Sequence, residues 1–114
     1  TGRCVVATQG KTRRSLAQII SALRWQQSPT LDEYAASIDH VRVHGWSLDR
    51  NNHIRGVTSV AAPIRSGERS VRYCITATGF SGQHDDESLA EVGGRISAIA
   101  ANAERHWTDL LAKQ

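Results

Sequence analysis

Thr76 and Thr78 alternate with Ile75 and Ala77 near the end of an apolar run. In a strand, both hydroxyls leave the same face, and Cys74 shares their parity. By spacing alone the two threonines are β-branched residues on a solvated face; a polar binding wall is the alternative. His40 and His44 stand four apart at a helix end. They would share a metal with Asp39 or Asp49 if a third ligand were fixed, but no motif fixes one. Two solvated histidines near a helix C-terminus is the simpler reading. His53 lies in a polar loop, within reach of a ligand bound there or simply on the surface.

Covalent catalysis needs a nucleophile, a base and an orienting group. No Ser/His/Asp or Cys/His signature and no Gly-x-Ser-x-Gly elbow occurs. Cys4 and Cys74 read as inert buried thiols. Asp85-Asp86-Glu87 is a helix start rather than a catalytic carboxylate pair. Gly10-Lys11-Thr12 matches the end of a P-loop, but Val5 stands where that loop needs glycine. The expectation is a protein that is not an enzyme, with no metal and no cofactor.

The elements that must position these residues follow from periodicity. Val57, Val60 and Ile64 mark one strand, and Val71, Tyr73, Ile75 and Ala77 mark the next. Ser66-Gly67-Glu68 between them is turn chemistry. This hairpin has one face toward a core and one of small polar groups, with the loop 49–56 over one end. Leu16, Ile19, Ile20 and Leu23 predict an amphipathic helix over 15–24. Thr30 and Glu33 form a capping box for a helix that puts Leu31, Tyr34, Ile38 and Val41 on one face and ends near Gly45. Asp85 or Asp86 caps the longest helix, striped by Leu89, Val92, Ile96, Ile99, Ala103 and Leu110 with Trp107 alongside. Gly93-Gly94 inside it implies close approach of a neighbouring backbone. The tryptophans read as core or interface anchors. The order of elements is α+β, an antiparallel sheet flanked by helices.

The 114 residues make one domain at most, with 14 Lys and Arg against 11 Asp and Glu. The net charge of +3 is spread out apart from Lys11-Thr12-Arg13-Arg14, so an ordinary solvated surface is expected. Two cysteines make no disulfide framework, and reduced thiols are the default. No apolar run approaches the roughly 20 residues that span a bilayer, so no membrane partner is expected. There is no methionine and the chain begins with threonine, which suggests a fragment or trimmed product.

Gly45-Trp46-Ser47-Leu48-Asp49, then Gly56-Val57-Thr58-Ser59-Val60-Ala61-Ala62-Pro63-Ile64, then Ile75-Thr76-Ala77-Thr78-Gly79 resembles the effector-binding domain of IclR-type bacterial transcription regulators. The likeness runs over essentially the whole chain, with Thr1-Gly2-Arg3-Cys4-Val5-Val6-Ala7 similar to the helix that enters the second half of that domain. The resemblance implies a GAF-like (profilin-like) fold, incomplete at its N-terminal side, whose winged helix-turn-helix and first strands precede residue 1. It implies a cytoplasmic regulator module that self-associates and meets DNA only through the absent domain. It also implies a small-molecule effector of the organic or aromatic acid class. By motif position, Asp49, Ser59, Thr76 and Thr78 line the effector pocket, with Thr1 at the helix entrance. Gly2 at a helix N-terminus, His53 and Cys74 are further contacts. Two departures stand out: the family's Asp-x-Glu-Glu loop is here Asp49-Arg50-Asn51-Asn52, and threonine replaces serine on the second pocket strand. Both suggest a different or more anionic ligand. The alternatives are a scaffold domain that has lost its ligand, or a GAF-like sensor outside the family.

Overall fold

A computed structural model of the chain describes residues 2–66 and 70–112. Thr1 and the Gly67-Glu68 part of the expected turn lie outside the described residues. The order is α1 (Gly2–Ala7), α2 (Arg13–Ala22), α3 (Leu31–His44), β1 (Ser47–Arg50), β2 (Val57–Ser66), β3 (Ser70–Phe80) and α4 (Asp86–Ala112). This is α+β, with a three-stranded antiparallel sheet in the order β1-β2-β3.

The helix starts are set by side chains that satisfy open amides. Thr12 caps α2 by accepting from the Ser15 amide, which places the helix two residues earlier than its apolar spacing predicts. Thr30 accepts from the Glu33 amide at 3.1 Å and opens α3. Asp85, rather than Asp86, caps α4 through the Ser88 amide at 2.8 Å. That bond holds the Asp85 carboxyl below the usual range. Gly45, at φ 82°, ends α3 in the left-handed conformation that glycine adopts without a steric penalty.

Both faces of the sheet are covered, where the sequence suggested one core face and one solvated face. On β2, Val60 and Ala62 face α4 and pack with Trp46, Leu89, Ile96 and Ala100. Ala61, of opposite parity, faces the other way and packs with Cys4, Val6, Tyr34, Ile38 and Val41 of α1 and α3. Each large side chain buried this way stabilises the fold by about 1.5–3 kcal/mol. The layers are therefore α1–α3, sheet, α4.

Among the described residues, four apolar residues of the expected stripes are not covered, one of them Tyr73 on β3. Leu23 lies past the end of α2 and is half exposed. Ile99 sits to the side of the line through Ile96 and Ala100, and Trp107 lies beyond the end of β2, whose Arg65 amide meets Glu104; both are exposed. Trp46 fills the corner between β1 and α4. A Cβ on Gly93 would lie 2.3–2.6 Å from three atoms of its indole ring, whereas Gly94 faces open space. Close approach thus accounts for Gly93 and not for Gly94.

Candidate effector site

A cavity of about 580 Å³ lies between the sheet and the α1–α3 layer. Its floor is polar and set by register. Asp49, Ser59 and Thr78 are direct neighbours across β1, β2 and β3, so they form one row. Ser47 and Thr76 flank Ala61 in the next row of that face. Ser59 Oγ and Thr78 Oγ1 are 3.1 Å apart. The other walls are Gly2 and Arg3 of α1, Leu23, Arg24 and Trp25 after α2, Tyr34 of α3, Val57 of β2, and His53 and Ile54 of the loop.

Arg3 is buried, and nothing in its spacing marks it as an inward residue. Its Nε donates to Ser37 Oγ at 2.9 Å and one terminal nitrogen to Asn52 Oδ1 at 3.0 Å. Its other nitrogen is 3.5 Å from Asp49 Oδ2. The guanidinium lies over Trp25 and Tyr34, 5.7 and 5.3 Å from the ring centroids. These partners offset the desolvation of a buried cation. Burial raises the Tyr34 hydroxyl above its ordinary pKa, with Arg3 pulling the other way.

Asp49 lines the cavity with both oxygens already engaged. Oδ2 faces Arg3, and Oδ1 accepts the Asn52 and His53 amides at 3.0 and 3.4 Å. The carboxylate therefore shapes the loop 49–56. Asn52 accepts from Arg3 and donates to the Gln27 carbonyl at 2.9 Å. An amide can do both; a carboxylate, which only accepts, cannot. Asn51, at φ 66°, accepts from the Gly56 amide and from Ser81 Oγ. The two asparagines thus build the loop at the positions where the family pattern has an acidic pair. Arg50 points away and pairs with Asp86 at 2.6 Å.

Of the residues named from sequence, Gly2, Asp49, His53, Ser59, Thr76 and Thr78 line this cavity. Cys74 does not; it packs against the cluster around Cys4 and Ala61. Arg3, Arg24, Trp25, Tyr34 and Ser47 were missed. Trp25 carried the nearest signal, as a large aromatic outside any apolar stripe.

Around the histidine pair, as elsewhere among the described residues, no group of three possible metal ligands is gathered. Nor are both rings solvated. His40 and His44 lie 4.4 Å apart by centroid, and His40 meets the Trp46 ring edge-on at 4.3 Å. His40 Nε2 is buried without a hydrogen-bond partner among the described residues. Burial, and then the neighbouring His44, push the His40 pKa down. No helix among the described residues is long and apolar enough to cross a membrane.

The family model described as bacterial transcriptional regulator IclR C-terminal matches residues 1–105, and the chain belongs to that family. No curated protein matches it. Among solved structures it is similar to the repressor BlcR of Agrobacterium tumefaciens (TM-score 0.73, 18% identity, 92% of this chain and 44% of that one). It is similar to an IclR transcriptional regulator of Alicyclobacillus acidocaldarius (TM-score 0.72, 16% identity, 93% and 43%). The inducer-binding domain of the PobR transcription factor from Acinetobacter, a double mutant in complex with 3-hydroxybenzoic acid, gives TM-score 0.65, 15% identity, 91% and 62%. The chain spans less than half the length of the first two.

Proposed function

We propose that this chain is a small-molecule effector-sensing domain of a transcription regulator, and that the cavity over Asp49, Ser59, Thr76 and Thr78 is its effector site. The row of polar groups across three strands, roofed by Trp25, Tyr34 and Leu23, carries the reading. An apolar body would lie against Leu23, Trp25, Ile54 and Val57, with a polar end on the strand hydroxyls. Arg3 is matched by Asp49, so it is a poor anchor for a second anion. Arg24, on the cavity wall, has no ion pair among the described residues. It is the cation on offer to a carboxylate-bearing ligand, and an aromatic acid such as the one held by the PobR domain has the right chemistry. Gly2 and His53 are rim contacts, and Thr1 stays in the site on family likeness.

In the parent protein the ligand would bias one arrangement of self-associated effector domains and so control DNA binding by a separate domain, in the cytoplasm. It can do so only by its differential affinity for the two arrangements. The rival, a scaffold whose cavity has been filled, is disfavoured because Arg50 is drawn to Asp86 and His53 lines the wall without closing it.

A thermal-shift and calorimetric screen of hydroxybenzoates and aliphatic keto- and hydroxyacids tests this. At least one acid should stabilise the chain, and Thr78→Ala and Arg24→Gln should each weaken it about tenfold or more. An affinity unchanged in both variants, or no stabilisation by any acid, would overturn the assignment.

A further inference from the structure

Two segments of irregular backbone supply part of the cavity wall: residues 23–27 bring Leu23, Arg24 and Trp25, and residues 52–55 bring His53 and Ile54. Gln26, Gln27, His53, Ile54 and Arg55 are exposed. The two segments bond to each other, and donors cross in both directions. The Gln26 amide donates to the Asn52 and His53 carbonyls at 3.0 and 3.3 Å, and the Gln27 amide to the Asn52 carbonyl at 3.0 Å. In return the Asn52 side-chain nitrogen donates to the Gln27 carbonyl at 2.9 Å, and the Arg55 amide to Gln26 Oε1 at 2.7 Å. Residues 23–27 hang from α2 through the Leu23 amide on the Ile19 carbonyl and Trp25 Nε1 on the Ile20 carbonyl. Exposed backbone stitched in this way opens as one local unit, at far lower cost than the packed layers. Asn52 is its hub. Besides the bonds to Gln26 and Gln27, its amide donates to Asp49 and its Oδ1 accepts from Arg3 of α1.

We propose that residues 23–27 and 52–55 form a single movable wall of the cavity, and that Asn52 is its latch. Asn52 is thus a positioning residue for the effector site, and the inference rests on a ligand being held there. The wall carries Arg24 and Trp25, so its closure sets how long a bound acid stays. Aspartate at position 52 would undo the latch with almost no change of shape. Its carboxylate still accepts from Arg3 but has no proton to give the Gln27 carbonyl, so two acceptors meet face to face.

The test follows amide hydrogen exchange residue by residue in the ligand-free chain. In Asn52→Asp the Gln26, Gln27 and Arg55 amides should exchange together, about tenfold faster. Amides of β2 and α4, and the urea midpoint, should stay near wild type. Gln26→Ala removes the acceptor of the Arg55 amide alone, yet the Gln27 amide should quicken as well. Faster exchange confined to one segment, or spread through α4 with a lower urea midpoint, would overturn the single wall; so would no change. A second arm uses whichever acid stabilises wild type most in the screen above. It should leave Asn52→Asp about tenfold faster or more, and an unchanged dissociation rate would overturn the positioning role. Binding by no acid at all would sink the effector reading and that role with it, while the exchange data decide the wall on their own.

Discussion

At Arg3, two side-chain hydrogen bonds, one carboxylate and two aromatic faces converge on a guanidinium that is almost out of water. Replacing it with Met keeps the bulk and removes the charge. Ser37 and Asn52 then lose a donor, and Asp49, itself only partly covered, loses its cation. The expected loss is about 2–3 kcal/mol in urea unfolding, with a smaller loss for Asp49→Asn. Equal stability of wild type and Arg3→Met would mean these contacts are incidental. His40 makes a prediction of opposite character. Its folded-state pKa is lowered, so the unfolded chain binds its proton more readily. Its contribution is therefore fully present above the unfolded value near 6.5 and is lost as pH falls through it. His40→Gln should flatten the stability profile as pH falls below the unfolded histidine value, as read by urea midpoints; an unchanged slope would show that His40 does not drive it.

At the scale of elements, the corner between β1 and α4 is the sharpest case. Alanine is a better helix former than glycine by about 1 kcal/mol. At Gly94, where a Cβ meets nothing, Gly94→Ala should therefore gain up to that amount. At Gly93 the same change drives a methyl into the Trp46 ring, and the overpacking should cost about 1–3 kcal/mol net. The pair differs by one position and should differ in sign by thermal melting; two changes of the same sign would refute the packing described here. Helix starts were readable because Thr30 and Asp85 combine a capping side chain with the pattern behind it. Strand alternation placed Thr76 and Thr78 on one side. What lay above that side was not readable. Alternation reports which residues share a face, while the cover over Ala61 and Cys74 comes from α1 and α3, far away in sequence. Trp107 shows the converse: it follows the stripe, but a helix of 27 residues outruns the sheet beneath it, whereas Ile99 merely lies to one side of the buried line.

For the molecule as a whole, the cavity draws its floor from the sheet and its roof from chain segments on either side of α2. Family motifs supply the floor: Asp49, Ser59, Thr76 and Thr78 stand in strands whose register is local. They do not supply the roof, because Arg24, Trp25 and Tyr34 arrive through a tertiary fold that a motif does not encode. The role of Asn52 was hidden for another reason. Its replacement of an acidic residue looks like a loss until Arg3 and Gln27 are seen on its two sides. Trp25 gives the roof a signal of its own. A ligand that stabilises the chain should also shift its tryptophan emission, and Trp25→Phe should abolish the shift while Trp107→Phe leaves it intact. A shift that survives Trp25→Phe would place the ligand elsewhere.

The indole of Trp46, seated on a bare Cα of α4 at the far end of α3, has a mechanical corollary. Tyr34 and His44 are ends of one stiff rod, about 15 Å apart at 1.5 Å per residue. The ring leaves no room for a methyl on the facing Cα of α4, so any axial shift of α3 would be met by α4 at this corner and not by empty space.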